Sequence, residues 1–253
     1  MKKSSATTSS RDAVAGPDPS WRGLYLAGGV SAILFVVLII AAFVLDSIAP
    51  PPVSGGAITL EFIVQNRLVY ILEQVLWLVP GVFATVVFLA LYVALERVNK
   101  SYAALGALIG GIAWALLTLA IPTTSRGAPA LVYLSDQYAA ATTDAQRAVF
   151  ASAAEGLIAQ NNTPTIPGIL TTVGILIVSL VMLEGVFHRG VAYLGIATGV
   201  LGIVSEALRF VLPAGYAVYG LLLLIWFIAV GWDLYGLAGG RETDRRTLEG
   251  NAG

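Results

Sequence analysis

Four polar side chains stand where an apolar chain should have none. Glu73 and Gln74 interrupt "YILEQVLWLV", and Glu206 and Arg209 interrupt "LGIVSEALRFVLPAGY". A charge inside lipid is costly, so an intramembrane acid or base is a functional-site hypothesis by default. Glu206 and Arg209 are three residues apart, which puts them on one turn of a helix, where an ion pair lowers the cost of burying both. Such a set can line a polar cavity that opens to one face of a membrane. It can equally be a satisfied structural pair, with Arg209 reaching the headgroup region along its own aliphatic stem.

Composition says what positions these groups. The chain has 253 residues, of which 57% are hydrophobic and 11% charged. Soluble domains are roughly 25% charged, and the mean hydropathy of +0.83 makes lipid the solvent for most of the chain. A net charge of -1 excludes nucleic acid as a partner. The absence of cysteine excludes disulfides and thiolate sites, and the lone histidine, His188, excludes a multi-histidine metal centre. The sequence contains no HExxH, no G-x-S-x-G and no Walker A loop, so no cofactor and no enzymatic activity are expected.

Six apolar stretches approach the ~20 residues needed to cross a bilayer. They run from about 23 to 45, 68 to 95, 102 to 121, 166 to 183, 191 to 212 and 216 to 237. The reading is an all-α membrane protein, a six-helix bundle spanning 21–237. A disordered tail of 1–20 precedes it and a polar tail of 238–253 follows. The first apolar run is longer than a signal-peptide core and has no small-residue cleavage site, so it reads as a retained anchor. Of the Lys and Arg residues, ten fall on one side of this topology and four on the other. Both termini are therefore expected in the cytoplasm.

The loop 123–165 then faces outward. Within it, Thr143 and Gln146 have capping-box spacing. Ala145, Val149, Phe150, Ala153 and Leu157 recur on one face, which predicts an amphipathic helix resting on the outer ends of the bundle. The threonines near outer helix ends (Thr118, Thr123, Thr124, Thr165, Thr171, Thr172) read as helix caps, and Asn161 opens a short sequon.

Two stretches repeat. "PGVFATVVFLALYVALERVNKSYAALGALIGG" and "PGILTTVGILIVSLVMLEGVFHRGVAYLGIATGV" share an opening Pro-Gly, a Thr-Val, a closing Leu-Glu and a Gly-xxx-Gly. Both would run in the same sense, as parallel repeats about the membrane normal. Gly106 with Gly110, and Gly195 with Gly199, form small-xxx-small faces for close helix packing. Glu96 with Lys100, and Glu184 with His188, are expected as i, i+4 pairs at inner helix ends. Asp233, beside Trp232, reads as an interfacial anchor.

At ~1.5 Å per residue, Glu73, Gln74, Glu206 and Arg209 all fall near the outer boundary, which predicts one polar cluster of the four. The stretch "VFHRGVAYLGIATGVLGI", the length and the long loop before the fourth span resemble a family of uncharacterised prokaryotic membrane proteins, domain of unknown function 4386. The resemblance implies six spans in a bacterial or archaeal cytoplasmic membrane, and it carries no activity. The function expected is that of a multi-pass structural, sensory or accessory protein. The alternative is a small transporter or lipid-binding protein with an outward polar cavity. Beyond the lipid bilayer, the expected partner is a second copy of the chain or another membrane protein.

Overall fold

A computed structural model describes residues 18–52, 54–119, 128–161, 166–209, 211 and 213–239. The tails, Arg126 and the threonines at 123, 124 and 165 lie outside them. Among the described residues the chain is helical and contains no strand. The long elements are α1 (Arg22–Ile48), α4 (Pro80–Leu119), α7 (Ile166–Met182), α8 (Arg189–Ala207) and α9 (Pro213–Ala238). The shorter ones are α2 (Gly56–Gln65), α3 (Arg67–Leu78), α5 (Ala128–Ala140) and α6 (Asp144–Asn161).

The apolar pattern of α1 runs all the way round. Tyr25, Ala32, Phe35, Ile39 and Ala42 are buried, yet Leu26, Val30, Ile33, Val37, Ile40 and Val44 are exposed. A helix that is apolar on its outer face suits a membrane solvent. Among the described residues, four segments are long and apolar enough to cross one: Pro19–Ile48, Arg67–Leu116, Arg189–Ala207 and Gly215–Ala238. Ile166–Met182 is apolar but shorter.

α4 is two arms. Asn99 leaves helical geometry at φ -151°, ψ 93°, and its side chain accepts from the Tyr102 N–H at 3.2 Å. That is an N-cap contact, so asparagine starts the second arm where the first ends. The arms fold back on each other: Thr85 Oγ1 lies 3.4 Å from the Gly111 carbonyl. On the other side of the first arm, Val79 keeps helical angles (φ -56°, ψ -36°). α3 therefore runs almost continuously into Pro80.

α4 packs on α7, α7 on α8, α8 on α9, α9 on α1 and α1 back on α4. Aromatic rings fill the centre. Phe35 stacks on Phe227 at 4.0 Å, Trp114 meets Phe35 edge-on at 5.2 Å, and Trp226 meets Phe227 at 5.3 Å. Small residues set the helix crossings. A Cβ on Gly106 would lie 2.8 Å from Val178 Cγ1, and one on Gly110 would enter the Phe88 ring; Gly174 of α7 packs onto Gly110 itself. Gly195 abuts Ser179 and Trp226, and a Cβ on Gly199 would lie 2.7 Å from Leu176 Cβ. Gly29 and Gly231, which the sequence reading passed over, bring α1 and α9 together.

α2, α5 and α6, with Tyr70 of α3, form a second, smaller assembly whose core is Leu60, Ile63, Tyr70, Leu131, Ala154 and Ile158. Several expectations change here. Residues 18–20, read as part of a disordered tail, are ordered: Asp18 caps a turn at Pro19–Trp21 and pairs with Arg97 at 2.6 Å. The fifth stretch stops at Ala207, not 212, since Leu208 leaves helical angles (φ -102°, ψ 19°). α2 and α5 lie in segments read as loop. On α6 the buried face is Ala154 and Ile158, flanked by Phe150 and Leu157, while Val149 is 66% exposed. The capping box is present but shifted: Gln146 N–H donates to Thr143 Oγ1 at 3.3 Å, and its side chain accepts from the Thr142 N–H at 3.1 Å.

Candidate functional site

At the C-terminal end of α8, Glu206 is 3% exposed and Arg209 Nη1 lies 3.7 Å from its Oε1. The chain then turns into α9, and the Arg209 guanidinium sits 4.4 Å from the centre of the Tyr216 ring. One cation thus serves a carboxylate and an aromatic face, as arginine does where a site is partly desolvated. Tyr216 contacts Tyr219 at 5.7 Å, and Tyr219 packs beside Gly202 with Thr172 of α7. Ser205, next to Glu206, buries its hydroxyl without a hydrogen-bond partner. Thr171 and Thr172 do not cap α7. Each hydroxyl donates back along its own helix, to Gly168 and Ile169 carbonyls at 2.7 Å, which satisfies a hydroxyl without water.

Glu73 and Gln74 are also buried, at 1% and 4% exposure, but they belong elsewhere. α3 packs on α1, α2, α4 and α5, while α8 packs on α7 and α9. No packed interface joins α3 to α8 among the described residues. The single cluster expected from depth is thus two separate places at one level. Depth follows from the rise per residue, but the neighbour of a helix does not. Glu73 accepts from Trp77 Nε1 at 3.2 Å, and Trp77 stands edge-on to Phe43 of α1. Both polar atoms of the Gln74 amide are buried without a hydrogen-bond partner.

The opposite helix ends are tied differently. Glu184 and His188 form no ion pair, because residues 183–188 leave the helix and His188 is the N-cap of α8. Its backbone N–H donates to Asp233 Oδ2 at 3.0 Å, and Nδ1 lies 2.6 Å from Oδ1. Asp233 is 8% exposed, a buried carboxylate at a helix N-terminus, where the peptide dipoles favour it. Glu96 and Lys100 likewise form no pair, since Asn99 breaks the helix between them. Among the described residues there is no group of three metal-ligating side chains.

Residues 26–234 match the family described as "Domain of unknown function (DUF4386)". The chain belongs to the DUF4386 family. The match runs from α1 to α9 and includes both outer polar places and the His188–Asp233 contact. No curated protein and no solved structure matches the chain. Sequence reasoning missed two residues of these polar places. Tyr216 gave no signal, because its approach to Arg209 depends on the turn between α8 and α9. Trp77 did give one: it stands four residues after Glu73, on the same helical face.

Proposed function

We propose that the chain is an integral membrane protein of the cytoplasmic membrane that crosses six times, with both termini inside. The crossings would be α1, α3 with the first arm of α4, the second arm of α4, α7, α8 and α9. The α4 hairpin and the α7–α8 hairpin would be two copies of one ancestral unit, each opened by Pro-Gly. A threonine near each opening bonds back to its own helix, Thr85 to Gly81 at 2.9 Å and Thr172 to Ile169. The function we assign is structural, sensory or accessory and non-enzymatic.

One observation carries this reading over a transport role. The rings of Phe35, Trp114, Trp226 and Phe227 interlock across the bundle. A route from the outer polar residues to the inner face would have to displace them. Glu206 is also paired rather than free to receive an ion. The second reading, an outward-facing site for a small molecule or lipid, rests on Gln74, whose buried amide lacks a partner.

The cysteine-free chain allows a direct test. Single cysteines at Gln74, Ser205, Ala84 and Phe227 are probed in sealed vesicles with a membrane-impermeant thiol reagent. The structural reading expects Ala84 and Phe227 to stay unlabelled from both sides. Labelling of either position from outside would establish a water-filled path and favour the transporter.

A further inference from the structure

The α4 hairpin leaves an apolar groove of about 400 Å³ between its two arms. Thr85, Leu89 and Tyr92 line it from the first arm, and Ala104, Ala107 and Gly111 from the second. Ala104, Ala107 and Gly111 are small, and Leu108 and Ile112 of the same arm complete the lining. Both stripes follow helical spacing, and both can be extended toward the turn at Asn99. Four residues beyond Tyr92 on the same face is Glu96; four residues before Ala104 is Lys100. Four residues are ~6 Å of rise, so helical spacing puts Glu96 and Lys100 one turn beyond the groove lining, toward Asn99. Lys100 is exposed and Glu96 half-buried, and neither forms an ion pair. Their neighbour Arg97 is engaged by Asp18.

We infer that this groove binds one phospholipid with a zwitterionic, primary-amine headgroup: an acyl chain along Tyr92 to Thr85, the phosphate at Lys100 and the ammonium at Glu96. The inference rests on the membrane-spanning reading above. Tyr92 to Thr85 covers ~10 Å of helix, about a third of a ~30 Å hydrocarbon core, so the groove fits a chain from the leaflet at the turn. The charges choose the lipid. Lys100 alone would suit any phosphate, but Glu96 repels a second anion and is matched by a cation. A primary ammonium donates charge-assisted hydrogen bonds to a carboxylate; a quaternary ammonium has no N–H to donate. A partner helix would fill the groove without using either charge.

The full chain in detergent is titrated with phosphatidylethanolamine, phosphatidylcholine or phosphatidylglycerol, and bound lipid is counted by native mass spectrometry. One phosphatidylethanolamine should bind about tenfold more tightly than either other lipid, a difference of about 1.4 kcal/mol. Glu96→Gln should erase the preference over phosphatidylcholine while total binding persists. Lys100→Gln should weaken all three lipids. Ala107→Trp, which fills the groove, should remove the bound lipid; Ala104→Leu is a milder second filling. Equal binding of the three lipids, a preference for phosphatidylglycerol, or unchanged selectivity in Glu96→Gln would overturn the site. If the chain washes out of membranes in alkaline carbonate, the membrane reading itself has failed. Loss of selectivity in a chain that stays in membranes removes the lipid site alone.

Discussion

The helical bundle and the outer assembly of α2, α5 and α6 are built on opposite rules. In the bundle, outward-facing residues are as apolar as buried ones, and the helices are held by glycines, fitted rings and hydroxyls bonded to their own helices. The assembly of α2, α5 and α6 combines a small core with a polar rim, although Ile58, Tyr133 and Val149 are exposed. Leu60, Ile63, Leu131 and Ile158 turn inward, and polar groups tie the rim. Arg67 binds both carboxylate oxygens of Asp136, the Nη2–Oδ2 contact at 3.0 Å, and Tyr138 donates to Glu61 at 3.0 Å. Apolar burial stabilises a structure only relative to water. Where lipid is the solvent, shape must do what hydrophobicity does elsewhere.

Glycine replacement should separate the two regions most sharply. Gly110→Leu drives a side chain into Phe88 and Gly174 and should cost about 3 kcal/mol or more, as severe overpacking does. Gly156, on α6, has no atom within 4 Å of a built Cβ. Gly156→Ala should therefore stabilise by about 0.5–1 kcal/mol through helix propensity. Thermal unfolding of both variants in detergent checks the contrast, and a mild Gly110→Leu would break it.

Emptying the outer core comes next. Leu60 is fully buried, and Leu60→Ala should cost about 3 kcal/mol. The loss should stay local, with faster amide exchange in α2, α5 and α6 and unchanged exchange in α8 and α9. Uniform acceleration would mean that the two regions unfold as one.

A smaller effect is expected at the join between α8 and α9. Arg209→Ala leaves Glu206 buried without its cation and should cost about 2 kcal/mol. That is below the ~3–5 kcal/mol of a fully buried pair, because the Arg209 side chain is 22% exposed. Adding Glu206→Gln should recover part of the loss. Strictly additive losses in a double-mutant cycle would show that the two groups do not interact.

The smallest effect is a pH dependence confined to the outer assembly. The hydrogen bond from Arg67 holds the Asp136 carboxyl below the usual carboxylate range. A depressed folded-state pKa contributes stability above the unfolded value and loses it as pH falls through the folded one. The contact of α3 with α5 should therefore loosen slightly below about pH 4, with Asp136→Asn abolishing the dependence. Limited proteolysis with an acid-active protease across pH 5 to 2.5 reads it; an identical profile in the variant would remove Asp136 as the cause.

The legible part of this molecule was the part governed by one dimension. Apolar length marked out the helices, and Ile166 begins α7 where the sequence puts it. Spacing brought Glu206 to Arg209 because both lie on one turn. What depended on packing in the other two dimensions was hidden. Depth placed Glu73 level with Glu206, but only the packing of α3 separates them. The contact of His188 with Asp233 spans 45 positions and overrides the local pairing with Glu184. α2 and α5 were missed because short helices closed by their neighbours carry too little periodicity of their own.

The measurement closest to the central claim asks which side of the membrane each region meets. Ser152 lies exposed on α6 and Ser101 exposed at the α4 turn, so each can carry the only cysteine in an otherwise native chain. In intact cells, an impermeant thiol reagent should label Ser152→Cys and leave Ser101→Cys untouched until the membrane is opened. Labelling of both positions from one side would contradict the account, because α4 could then not separate the outer assembly from its own turn.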